Sequence, residues 1–439
     1  MSNLENYNAV SAKLFPDDPG VQEHLFEGKI GLELETQRID RKGHLALTPH
    51  PFEEEPFIDR DFGEAQIEIN TPPVSGADEA EAFLHEQLRI AQRKLNENGE
   101  LLWPFSGPPA IADDSEIRIA EYTGELEKKT VYRRYLAAKY GKRLMTLCGI
   151  HFNYSFSEEI LEKSFVRSGA EDYRNYKDNL YLQLAEKVLA HSWVIVALLS
   201  ASPLIDSSYI PGRPEGRTVF TVYSSLRCSR EGYWNLFDPF LSYEDVPSYS
   251  ESIRQYRDKG LLRHEGELYY PVRIKPAGKY SLRNLCRDGV NHIELRMIDL
   301  NPLTEDGIGL NDLRFLQLFL IWLASGDRTP LDRNGQKNAI NNQKASACYD
   351  WDEVKICMTD GREVPMQQAL EQILAGMMRF FEGAEQKWQD ALQHQIEKIR
   401  QPEKRYAFQV RKEYGEAYLS SGMKRAEQLQ KVRCADTNR

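Results

Sequence analysis

Carboxylates recur at every second position in three separate stretches of this chain, and that spacing constrains the fold more than any other feature. The first stretch is Ile30 to Thr36, with Glu33 and Glu35. The second is Asp61 to Ile69, with Asp61, Gln66 and Glu68. The third is His292 to Met297, with His292, Glu294 and Arg296. Alternate side chains of a β-strand share a face. Each stretch therefore reads as a strand with a polar face, while Leu32, Leu34, Ile67, Ile69, Ile293, Leu295 and Met297 point into a core. If the three strands lie side by side, one face of one sheet is walled with acids. Such a wall repels itself unless cations fill it, and hard divalent cations with oxygen ligands suit it.

The bulk numbers narrow the class. Hydrophobic content of 41% and charged content of 28% are those of a globular protein. A net charge of −11 argues against a nucleic-acid partner, which needs a basic surface. The opening Met1-Ser2-Asn3 run has no basic segment ahead of an apolar one, so no signal peptide is expected. The most apolar run, Trp193 to Leu199, falls short of a membrane span, so no membrane partner is expected. The six cysteines form no CxxC pair, so neither a zinc site nor a disulfide framework is indicated, and a cytoplasmic location is expected.

Helical spacing appears over Gly76–Asn98, about Lys128–Tyr140 and about Asp172–Ala201, the last apolar nearly all round and so buried. Leu144 to Phe156 alternates, with His151, Asn153 and Ser155 on one face. Pro211 to Tyr243 is loop-rich, and Leu268–Lys275 and Val290–Asp299 read as short strands. After Pro302 the chain reads as almost wholly helical, over Leu310–Leu323, Met366–Phe381 and Ala384–Val432. Helices and non-adjacent strands mixed without βαβ regularity or a phosphate loop indicate an α+β fold.

Taken singly, each acidic stretch also matches an ordinary exposed strand face. Two details add weight. Gly31 and Gly63 flank the acids, leaving room for a ligand to approach. Arg296 shares the acidic face, where a guanidinium suits phosphate held beside metal rather than metal itself. Arg227, Arg273, Lys275, Arg133 and Arg134 are further cations, each unremarkable alone. His151 suits either a sheet hydrogen bond or a metal or phosphate role. Together these residues fit a nucleotide triphosphate site that lacks a P-loop.

In order along the chain, the motifs resemble those of the bacterial-type glutamate–cysteine ligases (γ-glutamylcysteine synthetases), and of the front half of the bifunctional glutathione synthases. They run from Gly31 to about Ala324: Gly31–Arg38; Asp61-Phe62 with Gln66–Pro72; Trp103–Ser106; Tyr132-Arg133; Gly149–Tyr154; Ser225–Arg227; Tyr269–Arg273; and His292–Pro302. The resemblance implies a glutamine-synthetase-like curved antiparallel β-sheet half-barrel with surrounding helices. It implies a catalytic domain over residues 1–325, with a helical C-terminal extension over 326–439 packed on it. It implies that ATP phosphorylates the γ-carboxylate of glutamate and that the amine of cysteine displaces phosphate, with Mg2+ (two or three ions, or Mn2+) assisting. The site residues it implies are Glu33, Glu35, Asp61, Glu68, His151 and Glu294 for metal, and Arg296, Arg227 and Arg133 for the phosphoryl group and carboxylates. Phe62, Tyr132, Tyr233 and Tyr269 are expected around the cysteine substrate, with Met145 and Arg273 also on the substrate side.

Met145 departs from the pattern, standing where relatives carry a polar glutamine. It keeps open a γ-glutamyl ligase that uses another amine. A phosphoryl transferase on the same fold and a non-catalytic relative are further readings. No ATP-grasp segment follows in this sequence, so addition of glycine is expected to be absent. All six cysteines are expected to be non-catalytic.

Overall fold

Polar and apolar residues alternate along Gly28–Ile39 (β1), and the strand packs accordingly, with Leu32 and Leu34 fully covered. The structure, a computed structural model, describes residues 12–435, so the N-terminal run read for a signal peptide lies outside the described residues. Around β1 assemble Ile58–Arg60 (β2), Gln66–Asn70 (β3), Ile150–Phe156 (β4), Val272–Lys275 (β5) and His292–Ile298 (β6). Their order in space is β2-β3-β1-β4-β6-β5, and every pairing is antiparallel. Two short strands, Val74–Ser75 and Leu101–Leu102, complete an eight-stranded open sheet against β1. The expected α+β half-barrel holds, and the three acidic stretches do share a sheet. They are not all adjacent, because β4 separates β1 from β6.

Register aligns the polar residues across strands. Glu35 stands opposite Glu68, Glu33 opposite His151, and Glu294 opposite both Asn153 and Arg273. Cross-strand partners of this kind lie within side-chain reach on one face. Pairing of β6 with β4 slips by one residue between Leu295 and Ile298, a bulge in the interval that carries Arg296. Bulges of this sort re-aim side chains beside sites. Asp61 lies just beyond β2, in the connection to β3 rather than within a strand.

Gly76–Glu97 (α1), Glu127–Tyr140 (α2) and Tyr173–Leu199 (α3) form close to the expected bounds, and the Asp172 side chain caps α3 by accepting from the Asn175 N–H. The two long helices, α1 and α3, pack on the sheet, whereas α2 stands at the polar face with Tyr132 and Arg133. α3 corrects one expectation, because by length and composition alone it is apolar enough to span a membrane. Its most apolar window is 89% buried within the protein, which makes it a core helix here.

Beyond Pro302 come Leu310–Ser325 (α4) and Arg333–Ser346 (α5), followed by a small hairpin, Lys355–Cys357 with Glu363–Pro365. α5 is too polar to show an apolar stripe, and the hairpin strands are three residues each, so neither stands out in the sequence. Ala384–Val432 breaks into Gln386–Arg400, Tyr406–Tyr414 and Tyr418–Ala435, with Pro402 and Gly415 between them. Proline and glycine end helices for lack of an N–H and for backbone freedom. The 325/326 division falls between α4 and α5, and buried side chains on both sides join one continuous core.

Candidate active site

The polar face of the sheet bears a cavity of about 220 Å³. Its wall includes Glu35, Asp61, Phe62, Tyr132, Arg133, Met145, His151, Arg227, Tyr233, Tyr269 and Arg296. Eleven of the fifteen residues singled out for the site thus meet at one cavity. Glu33, Glu68, Glu294 and Arg273 lie on the same sheet face.

Glu33, His151 and Glu294 form a tight cluster whose candidate ligand atoms lie within 4.8 Å of one another. His151 Nδ1 is 2.9 Å from Glu33 Oε2 and 3.4 Å from Glu294 Oε1, and Asn153 Nδ2 donates to Glu33 at 3.0 Å. Burial and the Arg296 charge push the His151 pKa down to about 4, against the pull of Glu33, so the ring is neutral at pH 7. A neutral ring that donates from Nδ1 to Glu33 leaves the Nε2 lone pair facing Arg227 Nη2 at 3.5 Å.

Cations divide the acids into two groups. Lys275 Nζ lies 3.2 Å from both Glu33 and Glu294, and Arg296 Nη1 donates to Glu294 at 2.6 Å. Burial and Glu294 raise Glu33, yet Lys275 and His151 outweigh them and hold it at about 2. Glu294 is fully buried, which opposes its charge, but Arg296, Lys275 and Arg273 keep it well below the usual carboxylate range. Arg227 and Arg296 act on Glu35, and an Asn70 hydrogen bond on Glu68, without offsetting the opposing effects. Burial and neighbouring carboxylates, Asp61 first among them, push both up to about 8. Burial raises Asp61 as well, despite Arg133. Three acids that resist ionising side by side form a site that an added cation would satisfy.

The arginines are held by backbone. Arg227 Nη1 donates to the Arg296 carbonyl at 2.8 Å, and its guanidinium packs on Gly149, where a Cβ would lie 2.4 Å from Cζ. Arg133 donates to the carbonyls of Asp61 and Arg60, the latter at 3.0 Å. Its neighbour Arg134 points outward to Glu121 with its side chain 60% exposed, as a polar helix face would have it. Arg273 stands behind Glu294 at 3.4 Å and donates to the carbonyls of Gly266 and Leu268. Those contacts make it a support for Glu294, and it is not among the residues lining the cavity.

At the other end of the cavity Phe62, Leu136 and Met145 form a small apolar cluster against Tyr132 and Tyr233. Tyr233 and Tyr269 meet edge to face at 5.3 Å, and burial keeps both phenols protonated. Gly31 and Gly63 do not open space for a ligand. A Cβ at Gly31 would meet Thr71 and Asn153 at ordinary contact distance, and one at Gly63 would meet the Arg118 carbonyl at 3.4 Å.

Cys228, Trp234 and Gln343 also line the cavity, and Lys275 pairs with its acids. Lys275 alone carried a signal, since it lies on the same strand face as Arg273. Gln343 sits on α5, where nothing in the sequence marks a site. Cys228 donates its thiol to the Met297 carbonyl at 3.3 Å, and burial pushes it up to about 12, so it stays a thiol.

A family model described as Glutamate-cysteine ligase matches residues 17–259 and 238–346. The chain belongs to the glutamate–cysteine ligase family. A glutathione biosynthesis bifunctional protein of Listeria monocytogenes is 34% identical over 416 residues, which cover 91% of this chain and 54% of that protein. A glutamate–cysteine ligase of Clostridium acetobutylicum is 28% identical over 462 residues, covering 92% and 96%. The crystal structure of a glutamate–cysteine ligase from Francisella tularensis, in complex with AMP, shares the fold at a TM-score of 0.85 and 21% identity, covering 94% of this chain and 90% of that one. The chain spans about half the length of the bifunctional relatives it matches, 54% in the Listeria case.

Proposed function

We propose that this chain joins the γ-carboxylate of L-glutamate to the amine of L-cysteine with hydrolysis of ATP to ADP, giving γ-glutamylcysteine, the first step of glutathione biosynthesis. The observation that carries this reading is the meeting of acids and guanidiniums at one cavity beside an apolar aromatic end. A carboxylate is a poor electrophile because it must expel oxide. An oxygen of the γ-carboxylate attacks the γ-phosphorus of ATP, ADP departs, and an acyl phosphate forms. The amine then adds to the acyl carbon, and phosphate leaves with that oxygen.

Arg296 is assigned to the γ-phosphate, where charge moves as the phosphoryl group transfers. Arg227 and Arg133 are assigned to a substrate carboxylate or the same phosphoryl group, held in place by their carbonyl contacts. Phe62, Tyr132, Met145, Tyr233 and Tyr269 are assigned to the amine substrate, with Arg273 fixing Glu294 behind the site. The oxygen-rich donor set suits Mg2+ or Mn2+, and the raised Glu35 and Glu68 carboxylates are groups such ions would relieve. Glu33, Glu35, Asp61, Glu68, His151 and Glu294 would hold two or three of them. When bound, such ions neutralise charge where ATP and a carboxylate approach each other. In the same reading residues 1–325 are the catalytic domain, the extension over 326–439 braces it, and the protein works in the cytoplasm on small molecules.

A second reading keeps the chemistry and changes the amine, and buried Met145 in the aromatic end favours it. An ADP-release assay with Mg2+, ATP and glutamate across a panel of amines, with products identified by mass, separates the two. Cysteine as the preferred acceptor supports the first reading, and another preferred γ-glutamyl product supports the second. ADP release without any amide overturns both.

A further inference from the structure

We propose that Gln343 accepts a hydrogen bond from the α-ammonium group of glutamate and sets the preference of this site for an α-amino acid over a bare dicarboxylate. The proposal rests on the ligase reading above. Gln343 is 3% exposed and yet lines the cavity. Its Oε1 is buried and has no hydrogen-bond partner among the described residues. A covered acceptor without a donor costs stability, and on a residue of the cavity wall a ligand group that reaches it would relieve that cost.

The side chain is placed by a pinned helix. Two turns earlier on α5, Gln336 exchanges two hydrogen bonds with the Leu241 backbone, at 2.7 and 3.1 Å. The Tyr270 hydroxyl, from the segment that also lines the cavity, donates to the same Gln336 oxygen at 3.1 Å. Beside Gln343, Asn342 pairs with both backbone groups of Cys357, at 2.8 and 2.9 Å. Just beyond the helix, the Ala347 carbonyl accepts from the Ser224 N–H at 2.7 Å, tying α5 to the segment that carries Arg227.

The chemistry selects the ligand group. Phosphates and carboxylates only accept hydrogen bonds, and Arg133, Arg227 and Arg296 answer them on the cavity wall. Among the described residues Arg227 Nε is a buried donor without a partner, a complement to the Gln343 acceptor. An amide oxygen needs a donor; ATP keeps its donors on ribose and adenine, beyond the phosphates that the arginines answer, and each amino-acid substrate brings an amine. The attacking amine must give up its proton to form the new bond. The α-ammonium of glutamate stays charged throughout, so it is the steady partner for a fixed acceptor.

Glutarate carries both carboxylates of glutamate and no ammonium, so it isolates the contact. The test measures kcat/KM for ADP formation with glutamate and with glutarate in the wild type, Gln343→Leu and Gln343→Glu, with thermal melts confirming folding. In Gln343→Leu the preference for glutamate should shrink by ~10- to 100-fold, the value of a hydrogen bond to a charged group, with the KM of the amine unchanged. Gln343→Glu, which still presents an acceptor, should keep the preference. Equal loss on both substrates, an unchanged ratio, or a rise confined to the KM of the amine overturns the proposal. If the wild type forms no ADP with glutamate, the ligase reading fails. Calorimetric binding of glutamate and glutarate then decides Gln343 separately, and a wild-type preference that persists in Gln343→Leu overturns it.

Discussion

Gly149 lies under the guanidinium of Arg227, so closely that a Cβ would stand 2.4 Å from Cζ and 2.6 Å from Nε. The same residue donates its N–H to Glu35 Oε2 at 3.1 Å, and its carbonyl accepts from the Glu35 N–H at 3.0 Å. One backbone position thus orients a carboxylate and a guanidinium on the cavity wall. Gly149→Ala should push Arg227 away and lower kcat by about 10- to 100-fold, as misplacements on the ångström scale do. The melting temperature should fall by only a few degrees. Steady-state kinetics beside a thermal melt checks both, and a variant with wild-type kcat removes Arg227 from the chemistry.

Acids with raised pKa values make the metal-free protein sensitive to pH. Glu35 and Glu68 titrate at about 8 in the folded chain, against an ordinary value near 4.5 when unfolded. Between those values the folded state holds protons the unfolded state has released, so stability falls as pH rises. His50, His151 and His292 are depressed to about 4 and act in the opposite sense, but only up to about pH 6.5. From pH 6.5 to 8 the melting temperature in EDTA should therefore fall. Added Mg2+ should stabilise more at pH 8 than at pH 6.5. Flat melting behaviour in EDTA across that window would contradict the electrostatic description of the wall.

Much of this wall was legible because strand periodicity is strict. Once Glu33-Leu34-Glu35 alternates, the face of every neighbour follows, and register brings His151 and Glu68 opposite. Asp61 was found through its neighbours although it sits outside the strands, between β2 and β3. Gln343 was not legible, because α5 is polar on most of its surface and its one site residue looks like its solvated ones. Gly31 and Gly63 were misread, since strand glycines also serve ordinary packing, whereas Gly149, quoted only as part of a motif, is the glycine that contact demands. The helical reading of Ala384–Val432 holds, but as three helices, because Pro402 and Gly415 interrupt the helical composition.

Glu35 and Glu294 should respond differently to the same change. Glu35→Gln removes a carboxylate that burial and Asp61 already disfavour, so metal-free stability at pH 8 should rise while turnover drops by about 100-fold or more. Glu294→Gln strips the partner of Arg296, Arg273 and Lys275 in a fully buried position, so turnover should drop and stability should fall by about 3–5 kcal/mol. Paired melts and kinetics check the contrast. Two variants of equal stability would show that the cations do not distinguish these carboxylates.

Met145 is 4% exposed and packs with Phe62, Leu136, Tyr132 and Tyr233 at the aromatic end of the cavity. Met145→Gln places an amide there that needs partners. It should change the ranking of amine acceptors by about 10-fold while leaving the KM for ATP near wild type. An unchanged acceptor ranking would take Met145 out of the acceptor pocket.

The most direct test of the account follows an oxygen atom. Glutamate carrying 18O in its γ-carboxylate is incubated with the protein, ATP, Mg2+ and the preferred amine, and the inorganic phosphate released is analysed by mass. Passage through an acyl phosphate predicts that each phosphate carries one oxygen from glutamate, in step with amide formed. Phosphate free of label, released alongside ADP, would contradict carboxylate activation at this site.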